Sequence, residues 1–327
     1  MYKRDKSIQF KSSASLLYNN LSIYSVPQKN IISYAVVHKS AVNIATSSSD
    51  TANVHHREVY CKDAVTNAST ALILQAKFCD LPSRSLLVIC SQKGLQMFEP
   101  DGSAMVFWHA LASGETKEGA VFTRGITAVH DNYIAVGASS GVILIFTIPS
   151  RGTNITLQEM ATAHNCNILD LANEGNVLAS ADDSGCIMLW KSGPNFQQLL
   201  RINGSGMACT SLCMLGHLVI GGYGSGHIRI YSSSTGDLQT EICAHAKWIN
   251  AIDVAPDSNL LLTSSEDSFV RLWALQTDSK YVKVNHEFSE SVTDLQICGA
   301  QFLNSSGTSF GVTGYDSNEV VLFSQKC

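Results

Sequence analysis

Short apolar runs alternate with small polar breaks along the whole chain, and no stretch keeps a helical period. The longest runs, such as LLVIC (86–90) and VILIF (142–146), have the length of buried strands. A two-part unit recurs: a strand, a tight turn of Gly, Ser or Asp, and a second strand ending near an aromatic. Its copies are LLVICSQKGLQMFEP, YIAVGASSGVILIFTIP, VLASADDSGCIMLWKSG, LVIGGYGSGHIRIYSSS, LLLTSSEDSFVRLWAL and FGVTGYDSNEVVLFSQ. The matching aromatics are Phe98, Phe146, Trp190, Tyr231, Trp273 and Phe323, at intervals of 48, 44, 41, 42 and 50 residues. A period of this length with about four strands per unit marks the blades of a β-propeller.

Each pair has flanking strands, shown best by WINAIDVAP before and KYVKVNHEF after the fifth copy. An earlier, weaker unit reads NLSIYSVP, ISYAVVH, AVNIATS and REVYCKD, which brings the units to seven. The last unit has VTDLQICGAQF and the pair ending at Phe323, but no outer strand. Residues 1–12, with SIQFK, stand spare before the first full unit and are expected to supply it. An open ring would leave backbone groups unpaired and faces unburied. The pattern therefore predicts an all-β chain, residues 1–327 forming a single seven-bladed propeller closed by an N-terminal strand.

Composition narrows the function classes. The 327 residues are 45% hydrophobic and 15% charged, with a net charge of −5 and no basic block. This argues against nucleic-acid binding and against electrostatic binding to anionic membranes. MYKRDKSIQF carries charges without an apolar run behind them, and no run is long enough to insert in a membrane as a helix. A soluble cytoplasmic protein is expected, with attachment to membranes or vesicles only through partners. Ten cysteines are scattered, and Cys209 and Cys213 form a lone C-x3-C without a second pair. They read as reduced thiols packed as small hydrophobes. His55 and His56 in HHRE would point to opposite faces of a strand and cannot chelate one ion together. No metal and no cofactor are expected.

One stretch offers chemistry. Thr263, Asp267 and Trp273 lie in LLLTSSEDSFVRLWAL, and His245 precedes the aspartate by 22 residues. Hydroxyl, imidazole and carboxylate are the parts of a nucleophilic triad. No G-x-S-x-G elbow surrounds the hydroxyl, and a threonine on a middle strand would be wedged between blades. A hydrolase is disfavoured on both grounds.

AHAKWINAIDVAPDSNLLLTSSEDSFVRLW resembles a WD40 repeat: a histidine, an apolar strand, a turn, a Ser/Thr strand, an aspartate, then a tryptophan six residues on. The dipeptides WK and WA replace the usual WD, and other units carry Phe or Tyr for Trp. In AHNCNILDLANEGNVLASADDSGCIMLW the acid nearest the turn is Asp183, seven residues before Trp190. FWHAL, ADDSG, WKSGPNF, GGYGSG, CGAQF and SSGTSFGVTGYD extend the resemblance to that family from end to end. The resemblance implies a structural tetrad in which Trp273 donates to Thr263, Thr263 to His245, and His245 to Asp267. It also implies a non-catalytic scaffold or adaptor, in intracellular signalling, with proteins or peptides as partners and self-association as an open partner class.

Propeller tops are built from the loops that lead into the innermost strands and the turns between the two middle strands. Trp248 and Glu266 fall there, and alignment of the units adds Tyr223, Met207, Asp183 and Arg124 as candidate partner-binding residues. A rim aromatic is a common interface anchor. An alternative reading is a reader of a modified or charged peptide at this face. VFTRGITAV resembles the Phe-Arg-Arg-Gly motif of phosphoinositide-binding propellers, but holds one arginine only, so a lipid pocket is not expected. GGYGSGHIRIY has no helix to follow its glycines and reads as a turn rather than a phosphate cradle. Asp170, Asp253 and Asp294 are expected on innermost strands, where they could form an acidic wall along the channel.

Overall fold

Strands form where the apolar runs predict them, because each run is long enough to bury one face on either side of a sheet. The computed structural model describes residues 1–48, 53–61, 71–111, 122–129, 132–160, 163–277, 281–292 and 294–326. Its sheets are seven four-stranded antiparallel blades, the last carrying two short N-terminal pieces as its fourth strand. The innermost strands run Ser22–Val26, Ile73–Leu81, Thr123–Val129, Ile168–Glu174, Cys209–Leu215, Ile249–Ala255 and Ile297–Phe302, in blades 1 to 7. Each is followed in order by its two middle strands and its outer strand, except in blade 7.

Blade 7 is completed from the other end of the chain. Tyr2–Arg4 and Ile8–Gln9 both pair antiparallel with Glu319–Gln325, in the registers Tyr2↔Gln325 and Ile8↔Val320. Ile8 and Phe10 are buried there with Val320 and Leu322. The Tyr2 ring lies 5.5 Å from that of Phe310, and its hydroxyl donates to the Gly307 carbonyl (2.6 Å).

Among the described residues the apolar interior is divided rather than single. Seven apolar clusters each fill one blade-to-blade interface; one example joins Leu86, Val88 and Met97 of blade 2 to Ile126, Val136 and Phe146 of blade 3. This is how a repeat architecture buries units that cannot bury themselves.

Around the channel, polar side chains stitch neighbouring blades. Ser22 Oγ accepts from Phe78 N–H (2.9 Å), Gln75 Oε1 from Gly125 N–H (2.8 Å) and Asp170 Oδ2 from Leu212 N–H (2.8 Å). Ser211 Oγ accepts from Ile252 N–H (3.0 Å), Asp253 Oδ2 from Phe302 N–H (2.7 Å) and Gln301 Oε1 from Ile23 N–H (2.8 Å). Between blades 3 and 4 the backbones touch instead: a Cβ on Gly125, at φ +77°, would meet the Asp170 Cα at 3.1 Å.

These bonds revise the expected acidic wall. Asp170 and Asp253 do face the channel, with Lys77, around a cavity of about 200 Å³, but as acceptors for the next blade. Asp294 is not on an innermost strand. That strand begins at Ile297, and Asp294 sits exposed in the loop before it, at φ +58°. Aspartate tolerates the left-handed conformation better than most residues, which suits it to the loop.

Candidate functional site

The WD40-like tetrad of blade 6 is formed. Trp273 Nε1–H donates to Thr263 Oγ1 (3.1 Å), and Thr263 lies 2.9 Å from His245 Nε2. His245 Nδ1 lies 3.1 Å from both oxygens of Asp267. Burial lowers the His245 pKa despite the carboxylate beside it, so the ring is neutral at pH 7. A neutral ring carries one N–H, and the carboxylate requires it on Nδ1; the threonine hydroxyl then donates to Nε2. Burial works to raise the Asp267 pKa, but the His245 hydrogen bond, the charge that ring takes on in acid, and the N–H groups of Ala246 and Phe269 hold it at about 2.

Blade 4 contains a second tetrad that the sequence reading missed. His164 Nδ1 lies 2.7 Å from Asp182 Oδ2, and its Nε2 lies 2.7 Å from Ser180 Oγ, to which Trp190 Nε1–H donates (3.0 Å). The acid is Asp182, not the turn residue Asp183. Asp182 closes its strand opposite Ile168, and Asp183 points outward, exposed. A signal was present: His164 and His245 each stand four residues before an innermost strand, and Ser180 and Thr263 each ten before a tryptophan. Cys186 lies close enough to make His164 and Asp182 a possible metal trio. The histidine nitrogens and both Asp182 oxygens are, however, already spent on hydrogen bonds, the Cys186 and Ser184 N–H groups taking Asp182 Oδ1.

Thr263 and Ser180 are fully buried, so neither hydroxyl can meet a substrate. Both tetrads staple a blade. Replacing either histidine with alanine leaves a buried hydroxyl and a carboxylate each short of one partner, while the indole keeps its bond to the hydroxyl. His245→Ala and His164→Ala are each expected to lower unfolding stability by about 1–3 kcal/mol, read by urea titration. Equal stability to the parent protein would show the networks to be decorative.

Tyr223 is the clear correction among the predicted rim residues. It is fully buried, its hydroxyl 3.2 Å from that of Tyr231 and its ring under the Arg229 guanidinium at 4.8 Å. Register places it opposite Cys209, as Asp182 is opposite Ile168, so it closes its strand just before the turn. Gly221 stands where a tetrad would place Ser or Thr, ten residues before Tyr231, and the Tyr223 ring fills that space. Blade 5 therefore replaces the polar staple with a tyrosine pair.

The remaining predicted residues do converge at the end of the channel where the innermost strands begin. Trp248 and Met207 are each 38% exposed, Asp183 is exposed and Glu266 half-buried. Trp248 packs over Gly224 of blade 5, where a Cβ would lie 3.1 Å from the indole, and its carbonyl accepts from Glu266 N–H (3.1 Å). Arg124 reaches the same mouth from blade 3, but its guanidinium is covered by the ring of Tyr18, 4.4 Å away. Tyr18 in turn stacks on Trp248, with centroids 6.0 Å apart and planes within 10°. Burial raises the Tyr18 pKa; Arg124 opposes this, while Glu266 and Asp183 add to it, so these three charged groups lie around one phenol. The sequence reading had no place for Tyr18, which precedes the first blade and follows no repeat.

Blade architecture and tetrads define a WD40-type propeller. Among solved structures, the WD40 repeats of RRP9 superpose with a TM-score of 0.74 at 13% identity, covering 100% of both chains. A chain of the mitotic checkpoint complex gives 0.74 at 12% identity, covering 99% of this chain and 96% of that one. The family follows from sequence: the WDR54 family model matches residues 1–326, and the chain belongs to that family. It is 41% identical to WD repeat-containing protein 54 of Mus musculus and 40% identical to that of Homo sapiens, in each case over 99% of both chains.

Proposed function

We propose that this protein is a non-catalytic interaction scaffold that docks proteins or peptides on the face where the innermost strands begin. The observation that carries the reading is the cluster of Trp248, Met207, Glu266 and Asp183 at the channel mouth. A large aromatic and a methionine are each partly exposed there beside two carboxylates. Among the described residues, neither carboxylate makes a side-chain hydrogen bond or ion pair. Aromatic anchors ringed by polar groups are what interfaces concentrate, and two free carboxylates favour a partner segment with basic side chains. Burial of both tetrad hydroxyls supports the absence of hydrolytic chemistry. A role as a signalling adaptor, and self-association, belong to the same reading and draw on the family resemblance.

Proximity labelling in cells tests it. Trp248→Ala and Glu266→Lys are expected to remove a shared subset of neighbours; Glu266→Lys should leave the thermal melt within about 1 °C of the parent protein, as surface substitutions do, whereas Trp248→Ala should lower it, since the indole packs on Gly224 and Tyr18. An unchanged neighbour set with both variants would place the docking face elsewhere.

A further inference from the structure

The mouth of the channel is already held by the chain itself. Ala14 N–H donates to the Ser317 carbonyl (2.8 Å) and Ser15 N–H to that of Val37 (2.9 Å), so the segment leaves the closing strand and turns across the ring. Asn20 then spans blades 7 and 1: its N–H donates to the Cys298 carbonyl (2.9 Å), and its side-chain oxygen accepts from Val37 N–H (2.8 Å). Between these fixed points, Tyr18 and Asn19 point at residues 106 to 231 positions away.

Asn19 is recognised on every side. Its Nδ2 donates to Asp170 Oδ2 (3.0 Å), Ser211 Oγ donates to its Oδ1 (2.7 Å), and its backbone N–H donates to the Asn250 carbonyl (2.8 Å). Blades 4, 5 and 6 thus build one seat that reads both the donor and the acceptor end of a carboxamide. Beside it, Arg124 and Trp248 hold the Tyr18 ring. An aromatic ring in a slot, with the next residue's amide in a polar seat, has the makeup of a ligand site: apolar contact with a few placed polar groups.

The seat also has capacity left. Asp170 is 97% buried, yet its Oδ1 has no hydrogen-bond partner among the described residues. A buried carboxylate oxygen without a donor is an unmet demand. An N–H from another residue of an incoming peptide would answer it.

We propose that the channel mouth is a binding site for a peptide carrying an aromatic residue followed by asparagine, held here by the chain's own Tyr18–Asn19, and that a partner segment of the same chemistry docks by displacing that pair. The inference rests on the top face being the docking surface and names what enters it. Tethering gives the resident pair an effective concentration in the millimolar range, so the site is masked until the segment is released.

The probe is a fluorescent peptide of this chain's own residues 13–21, SASLLYNNL, titrated by anisotropy into purified full-length protein. Asn19→Asp sets a carboxylate against Asp170 and evicts the pair, while aspartate still accepts the left-handed φ of +53° at that position. Tyr18→Ala empties the aromatic slot without adding charge. Hydrogen exchange over residues 14–20 reports release, and a thermal melt reports folding. Both variants are expected to exchange faster there and to bind the peptide at least about tenfold tighter than the parent protein, as loss of an intramolecular competitor requires. A peptide with its first asparagine replaced by aspartate is expected not to bind. The proposal is overturned if folded variants show no faster exchange, if a released variant does not bind, or if parent and variant bind alike. The titration uses no cellular partner, so its outcome is independent of the proximity-labelling result.

Discussion

Deletion of residues 1–12 is expected to abolish the folded monomer. The deletion takes out both pieces that pair with Glu319–Gln325 and turns that strand into a bare edge. It also uncovers Val320, Leu322, Phe310 and Phe323, which Ile8, Phe10 and Tyr2 help to bury. Full burial of an Ile or Phe side chain is worth about 2–3 kcal/mol, and the lost backbone pairs and the Tyr2 hydrogen bond add to this. The total approaches the whole stability of an ordinary domain, about 5–15 kcal/mol. Exposed strand edges with apolar faces then associate. Size-exclusion chromatography is expected to show aggregates without a cooperative melt, and a synthetic peptide of residues 1–12 should restore part of the transition. A soluble truncated monomer that melts like the parent would mean that six and three-quarter blades hold the ring unaided. Ile8→Asp, which buries a charge at a fully enclosed position, is a milder form of the same test and should lower stability by several kcal/mol.

Asp253→Asn is expected to stabilise the protein at pH 8 and to have little effect near pH 4. Burial pushes the Asp253 carboxyl up to about 6, against the N–H groups of Phe302 and Val254 and the more distant Lys77. A carboxyl whose pKa is higher in the folded chain than in the unfolded one weakens the fold wherever it is ionised. The penalty is therefore complete above pH 6 and fades as pH falls toward the unfolded value near 4. A rise of about two units corresponds to roughly 3 kcal/mol at most. Asparagine keeps the oxygen that accepts from Phe302 N–H and discards the charge, so about 2 kcal/mol of gain is expected at pH 8. Asp182 and Asp267 act with the opposite sign. Each is held at about 2 by its histidine and backbone donors against the push of burial, so the stability they supply is present above pH 4 and lost as pH falls toward 2. The three carboxyls together favour the fold most between about pH 4 and 6, and His245, whose pKa burial lowers, works against it as pH falls below the unfolded value of 6.5. Urea titrations across pH 3–8 read both effects, and a gain in Asp253→Asn that persists at pH 4 would rule out ionisation as the cause.

Much of the architecture is written locally. Alternation of short apolar runs with Gly, Ser and Asp turns defines each strand pair, and the recurring aromatics set the blade period. Residues 1–12 as the closing strand follow from that period, and the staple of His245, Thr263, Asp267 and Trp273 is what the resemblance of one unit to a WD40 repeat implies. These features are legible because every blade repeats the same local problem, a two-faced strand that must bury both sides, and the same answer recurs at nearly constant spacing.

What tertiary structure alone decided breaks the period. Strand register put Tyr223 inside the protein opposite Cys209, because a slip of one residue on a strand exchanges its buried and exposed faces. Asp170 and Asp253 became inter-blade acceptors because the innermost strands come within hydrogen-bond reach only when the ring is closed. Asn19 meets Asp170 and Ser211 across 151 and 192 residues, and Tyr18 reaches Arg124 and Trp248 over comparable distances. Contacts of that separation leave no periodic trace in a chain. The sequence determined by itself that this protein is a closed ring of seven blades; only the ring, by bringing its two ends together, decided what lies across its mouth.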